Sequence, residues 1–312
     1  MKYWDRAWSL VDGCTPCSPG CDHCWAASWA HRFIREGEPG HTNSVLTDEN
    51  GRFTGAVVPR HDRLEIPTRR KKPTVYCVWN DLFHGDVPDE FRVRAYEIMA
   101  RHGAPRGMYG GRKGQLYPDL PLHAFLVLTK RPQEMIRFHA TKHSKFNVTR
   151  NIWHGLTVCN QEEAYNELSG WSMSVPGNKF ISIEPMLGPI DLDDADPEWW
   201  CDGRINAVIL GGETGPKARP MHPDWVRSVR DQCSAVGVPF LFKQWGEWIT
   251  KDKSSPLDEM YPPFTRAYCW NPGVIPPYPF YRNWAYRVGR NKAGRFLDCR
   301  THDDMPWRYY GI

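Results

Sequence analysis

The 312-residue sequence predicts an α/β protein, a partial or near-complete (β/α) TIM-like barrel followed by a loop-rich C-terminal extension. Three observations predict it. Short apolar runs alternate with segments of helical pattern, which is what parallel strands joined by crossover helices require. The runs are nearly continuous rather than alternating, as expected of strands buried on both faces. Each run also ends in polar or charged residues, and in such a barrel the strand ends and their loops build the site.

The segment before Cys14 reads as a first strand, and residues 25–36, rich in Ala, Trp and His, as a first helix. A polar, glycine-containing stretch near 38–70 reads as an irregular insertion. Apolar runs then begin at Thr74 (ending in Asn80-Asp81), Ala124 (ending in Lys130-Arg131), Ile152, Lys179 (ending in Glu184-Pro185), Ala207 (ending in Gly211-Gly212-Glu213) and Pro239 (ending in Lys243-Gln244). Helical patterns fill the gaps at 89–102, 132–141, 161–171 and 223–236, the first opening with an acidic pair after Pro88. About seven strands exceed a small flavodoxin-like sheet and approach a barrel. Residues 1–250 are therefore expected to form the barrel, and 251–312, rich in Pro, Tyr and Trp, a loop-rich extension packed on it.

Hydrophobic residues at 41% and charged residues at 24% are ordinary for a soluble globular enzyme. The net charge of +4 neither demands nor excludes a nucleic-acid partner. Basic residues do cluster: Arg60, Arg63, Arg69, Arg70, Lys71 and Lys72 stand against only Asp62 and Glu65, as a solvated loop or as phosphate contacts. The N-terminus lacks the apolar core of a signal peptide, and no apolar run is long enough to span a membrane. A cytoplasmic protein is expected, its ten cysteines reduced and available to bind metal or to pack.

Cys14, Cys17, Cys21 and Cys24 lie within eleven residues and are expected to share a metal or cluster. Four-cysteine zinc sites usually pair two C-x2-C knuckles across a long loop. Here the thiols are tightly spaced on one loop, which suits a [4Fe–4S] cluster better. Cys17-x3-Cys21-x2-Cys24 has the spacing of radical S-adenosylmethionine enzymes, in which three cysteines leave one iron open to the cofactor. Cys14-x6-Cys21-x2-Cys24 would also leave an iron open, whereas four ligating thiolates would leave none.

These cysteines, with Asp81-Leu82-Phe83-His84, Leu128-Thr129-Lys130-Arg131-Pro132, Ser182-Ile183-Glu184-Pro185-Met186, Gly211-Gly212-Glu213-Thr214-Gly215, Ala218-Arg219-Pro220-Met221 and Phe242-Lys243-Gln244-Trp245-Gly246, resemble the phage-associated three-cysteine-motif family. That family is related to radical S-adenosylmethionine enzymes of the spore photoproduct lyase type. The resemblance implies a radical S-adenosylmethionine barrel and a [4Fe–4S] enzyme that generates a 5′-deoxyadenosyl radical. It implies repair or modification of a nucleic-acid base or nucleotide, with DNA or a nucleotide as substrate. A reductase or flavodoxin would donate the electron, and a protein partner would be encoded nearby. The family's usual C-x6-C-x2-C maps to Cys14, Cys21 and Cys24, with Cys17 a departure.

Under this reading His23, Asn80, Asp81, Lys130, Arg131, Glu184 and Glu213 are cofactor-binding candidates. Glu184, Glu213 and Lys243 are catalytic candidates. Bland alternatives stand beside them. Asn80 and Asp81 could cap a helix, and Lys130-Arg131 could form barrel-top salt bridges with Glu184 or Glu213. Trp245 is a base-stacking ring or a core residue, His84 a loop histidine, and Cys77 and Cys233 packing residues. The competing function is a non-enzymatic four-cysteine iron–sulfur or zinc protein acting as a structural or interaction module.

Overall fold

The computed structural model describes residues 2–35, 46–103, 122–141, 149–250, 267–269 and 284–309. In chain order the strands are β1 (Arg6–Ala7), β2 (Val11–Gly13), β3 (Val57–Pro59), β4 (Thr74–Val78), β5 (His123–Thr129), β6 (Ile152–Thr157), β7 (Asn178–Ile183), β8 (Ala207–Gly211), β9 (Phe240–Gln244), β10 (Trp248–Thr250), β11 (Ala267–Cys269) and β12 (Trp284–Arg287). The helices are α1 (Trp25–Arg35), α2 (Asp89–Arg101), α3 (Pro132–Ala140), α4 (Gln161–Ser174), α5 (Leu192–Ala195), α6 (Pro223–Val236) and α7 (Arg290–Ala293). Among the described residues no helix is long and apolar enough to cross a membrane.

Seven strands form one sheet in the order β1-β4-β5-β6-β7-β8-β9. Every pairing in it is parallel. Strands β4 to β9 follow one another in chain order, with α2, α3, α4, α5 and α6 in the successive crossovers. Such a sheet curls in one sense, and the result is a half-barrel compatible with a partial (β/α) barrel.

Strands β4 to β9 are buried on both faces along most of their length, and the two-residue period divides each between two cores. Tyr76, Val78, Phe125, Val127, Ile181, Ile183, Val208 and Leu210 face the helices and pack with Tyr96, Met135, Phe138, Trp171 and Val226. Val75, Leu126, Trp153, Phe180, Ile209 and Leu241 face inward and pack with Tyr3, Met305 and Trp307.

The C-terminal extension supplies part of that inner core. Beyond residue 250 the chain contributes β11 and β12 to an antiparallel sheet with β10, and its last described segment plugs the half-barrel. Leu241 bridges to Asp303, and the Phe242 N–H donates to the His302 carbonyl at 3.0 Å. Trp307 is fully buried between Trp153 and Phe180 (ring centroids 5.5 and 5.7 Å), and its indole N–H donates to the Tyr3 carbonyl at 3.0 Å.

The first strand also differs from expectation. Only Arg6–Ala7 joins the sheet, while Val11–Gly13 turns away and pairs antiparallel with β3 of the insertion. Gly13 permits this: its φ is +86°, and a Cβ there would lie 2.0 Å from the Ala56 carbonyl oxygen. Arg60 and Arg63 converge on Asp12 at 2.5 and 2.8 Å, and Arg60 also bonds Asp62. Half of the charge run expected as loop or phosphate contact is therefore engaged locally, since Arg70 donates to Thr74 Oγ1. Arg69, Lys71 and Lys72 are exposed.

Two histidines are locked neutral in the core. His123 is buried, donates through Nε2 to the Pro67 carbonyl at 3.2 Å and stacks on His102. Burial, then the neighbouring His102, pushes it down to about 4. Burial also holds His154, stacked on Tyr96 and beside His139 and Lys179, well below its ordinary value. An unfolded histidine titrates near ~6.5, so below that pH the unfolded chain takes up protons the folded chain refuses. This stability is complete above about 6.5 and is lost as the pH falls toward 4. The urea midpoint is expected to drop between pH 7 and pH 5, and His154→Phe to flatten that slope. A midpoint constant across this range would contradict the burial of uncharged imidazoles.

Candidate functional site

The inner face that is apolar near the strand starts turns polar near their ends. Continuing the two-residue period past Leu126 and Leu128 gives Lys130; past Phe180 come Ser182 and Glu184; past Ile209, Gly211 and Glu213; past Leu241, Lys243. Lys130, Ser182, Glu184, Glu213 and Lys243 line a cavity of about 240 Å³ that is also lined by Cys14, Cys17, Cys21, His23 and Cys24. Asn80, Asp81, Arg131 and Gln244 border it as well. The structure thus brings every site residue expected from the sequence to one cavity.

The cysteine loop is pinned at both ends by arginines. Arg131 donates to Asp81 at 2.8 Å, to the Thr15 carbonyl and, at 3.6 Å, to the Cys14 sulfur. Asp81 also accepts from Thr129 Oγ1 (2.7 Å) and from the Lys130 and Phe83 N–H groups. Its carboxylate is held by the frame while it borders the cavity, and the following helix is preceded by Pro88, so Asp81 is not that helix's cap. Asn80 likewise donates its amide to the Val11 carbonyl, tying β2 to the sheet.

At the other end Arg219 donates to Glu213 through Nε (2.9 Å), Nη2 (2.6 Å) and its backbone N–H (2.7 Å), and reaches Pro19 O and Asp22. His23 Nδ1 lies 3.3 Å from the same carboxylate. Burial opposes ionisation of Glu213, yet the Arg219 and His23 hydrogen bonds hold its carboxyl below the usual range. Gly212 serves packing: a Cβ there would lie 2.0 Å from the Trp245 carbonyl oxygen. His84, expected to be an idle loop residue, accepts the Asp86 N–H on Nδ1 and so presents Nε2–H to Thr15 Oγ1 at 2.8 Å.

Within the loop, Ser18 accepts the Gly20 N–H and the Cys21 and Cys24 amides close successive turns. The Cys17 thiol donates to the Lys130 carbonyl at 3.9 Å, and its interaction with the neighbouring Cys21 sulfur holds Cys21 down to about 6 and pushes Cys17 up. Burial raises Cys14 to about 11 against the pull of Arg131, and raises Cys24. None of the described cysteines is paired in a disulfide. Among the described residues, no three His, Cys, Asp or Glu side chains converge as ligands of a single metal ion.

Beneath the loop lies a second ion pair. Lys243 Nζ meets Glu184 Oε1 at 2.5 Å, while Tyr3 and Ser182 donate to Oε2 at 3.0 and 3.1 Å. The salt bridges expected between Lys130-Arg131 and Glu184 or Glu213 are therefore replaced by other partners. Lys130 Nζ instead lies 3.3 Å from the Cys159 sulfur. Burial disfavours its charge, but Cys159, Cys21 and Glu163 outweigh burial and raise it.

Tyr3, Arg219, Ser182 and Cys159 were missed from the sequence as site residues. Ser182 follows from the strand period that gives Glu184, and Arg219 stands in a segment singled out for the resemblance. Cys159 follows from the period of β6 in the same way, two residues past Thr157, whereas Tyr3 carries no local signal. Trp245 is a core residue, bonded to the Phe296 carbonyl and packed on Phe242. Cys233 packs in the outer core, whereas Cys77 borders the cavity.

Fold and site together define a half-barrel α/β protein whose strand-end cavity is roofed by a four-cysteine loop. A family model described as protein of unknown function (DUF5131) matches residues 1–109 and 114–306. The chain belongs to that family. No curated protein and no solved structure matches it.

Removing one partner of the buried Asp81–Arg131 pair strands the other. Asp81→Ala is expected to cost about 3–5 kcal/mol of stability in a denaturant titration and to speed alkylation of Cys14 and Cys17 in the metal-free protein. Unchanged alkylation rates would show that Arg131 does not hold the loop.

Proposed function

We propose that this chain is a radical S-adenosylmethionine enzyme acting on a nucleic-acid base or nucleotide. The observation that carries the proposal is the cavity itself: four thiols from one loop and a set of strand-end polar residues line the same open cavity. Four thiols without carboxylates make a donor set suited to an iron–sulfur cluster. Cys21 and Cys24, with Cys14 or Cys17, would hold a [4Fe–4S] cluster. When bound with S-adenosylmethionine, such a cluster supplies one-electron cleavage of the sulfonium and a 5′-deoxyadenosyl radical.

The protein's own groups divide into frame and floor. Asp81, Arg131, Glu213 and Arg219 keep the cysteine loop at its station, and His23 is oriented by Glu213. Glu184, Lys243, Ser182 and Tyr3 form a polar floor that orients whatever enters, while Trp307 and its neighbours close the space below to water. A nucleic-acid target follows from the likeness of the motifs to the spore photoproduct lyase type.

Anaerobic reconstitution with iron and sulfide, followed by EPR of the reduced protein, tests the reading. A [4Fe–4S] signal that shifts when S-adenosylmethionine is added is the expected result. A cluster indifferent to the cofactor, or a protein that retains zinc, would sink the proposal and leave the thiols structural. In the same preparation Cys21→Ala and Cys24→Ala are each expected to abolish iron binding, while one of Cys14→Ala and Cys17→Ala retains it. Iron retained without Cys21 would remove the loop from the site.

A further inference from the structure

The cavity does not end in a polar rim. Helix α1 begins one residue after Cys24 and buries Ala26, Ala27 and Ala30. Its outward face shows Trp25, Ser28, Trp29 and Arg32, spaced as one stripe of a helix. Trp25 and Trp29 are 54% and 50% exposed, a large cost for two indoles in water. Both pack on Trp79, at ring centroid distances of 4.7 and 6.4 Å.

Trp79 and Trp25 line the cavity, as do Trp4 and Phe53, so the aromatic surface runs without a break from inside the cavity onto the outer face of α1. The indole N–H of Trp79 is buried and, among the described residues, meets no acceptor. Exposed cations stand on the segments that carry these rings: Arg32 on α1, Arg52 next in sequence to Phe53, and Lys2, whose ammonium sits 4.7 Å above the Trp4 ring.

Exposed rings with cations at their edges suit flat, anionic, unpaired chain. Bases stack on indoles whatever their identity, and phosphates pair with the flanking charges. A docked apolar helix or strand would call for aliphatic residues, and among the described side chains the outward stripe of α1 has none. Duplex DNA keeps its base faces stacked on one another, so neither the ledge nor the cavity could reach them without unpairing.

We infer that the Trp25–Trp29–Trp79 ledge binds the bases of a single-stranded or locally unpaired nucleic acid, flanking the nucleotide that enters the cavity. The inference rests on the reading of a nucleic-acid target given above, but strand binding can be measured without cluster or cofactor. Failure of the EPR test and failure of this one are thus separate results.

The experiment is fluorescence anisotropy of a short, labelled single-stranded DNA of mixed sequence and of its duplex, with the full chain, across a salt series. Expected are tighter binding of the single strand than of the duplex and a fall in affinity with salt. Trp29→Leu is expected to weaken single-strand binding roughly tenfold, and Trp29→Phe to retain most of it, because a ring and not mere hydrophobicity is required. Equal binding of both DNAs, no binding, or a Leu variant as good as the Phe variant would overturn the inference. The last result would mark the ledge as a protein-docking face. Thermal melts of both variants guard against a folding defect, and Arg52→Ala should lessen the salt dependence while leaving the Phe-against-Leu difference intact.

Discussion

The site depends on two arginines that grip one loop. Residues 14–24 have no regular structure beyond a single helical turn, and a loop rich in thiols has little cohesion of its own. Arg131 takes its Thr15 end and Arg219 its Pro19–Asp22 end, each anchored on a carboxylate from the C-terminal end of a sheet strand. Asp81 follows β4 and Glu213 follows β8, strands on opposite sides of the sheet centre. The loop is therefore stretched across the mouth of the half-barrel. Half-buried pairs of this kind contribute modest net stability, because desolvation offsets much of the attraction. Their effect is geometric: a bidentate guanidinium fixes distance and direction together.

The sheet beneath makes that geometry useful through its strand period. Alternate residues share a face, so each strand delivers an apolar layer below and a polar layer above on the same inner surface. Val75 with Cys77, Leu126 with Lys130, and Phe180 with Glu184 are examples. An open half-barrel would admit water to the lower layer. Trp307 and Met305 prevent this by filling it from the chain's far end, and Tyr3 joins the layers, its carbonyl held by Trp307 and its hydroxyl by Glu184. The final segment is thus part of the site's support, which accounts for a fully buried tryptophan so near the end of the described chain.

Much of this was legible in the sequence because it is periodic. Buried parallel strands announce themselves as apolar runs, and their polar terminal residues mark the mouth; all six runs from Thr74 to Gln244 became strands within a residue or two of expectation. What escaped is long-range pairing. Nothing local says that Arg219 and not Lys130 meets Glu213, that Lys243 takes Glu184, or that Asp12 collects Arg60 and Arg63. Cys159 is placed by the period of β6, but its partners belong in the same class. Its environment is made by Ser18, Gly20 and Lys130 from two other segments, and Gly20 must lack a side chain because a Cβ would lie 2.4 Å from the Cys159 sulfur. Trp245 shows the converse, a residue whose chemistry invited a site role and whose burial against Phe242 and Phe296 removed it.

Saturation of the frame also limits what the cavity can recognise. Asp81 and Glu213 have their oxygens committed to arginines, backbone N–H groups and hydroxyls, and Glu184 accepts from Lys243, Tyr3 and Ser182. The acceptors are thus largely spoken for. Donors are not: an ammonium carries three N–H groups, and Lys243 directs one to Glu184 while its remainder and the Gln244 amide border the open space. Each charge at the floor is matched by a neighbour, so a strongly ionic ligand would have to break a buried pair to enter. A neutral, flat, carbonyl-bearing group can instead accept from the floor without disturbing Glu184, and it would meet Trp79 and Trp25 on its way in. Heterocyclic bases answer that description, and under the proposed function the phosphate of such a nucleotide would be left outside, near the exposed cations.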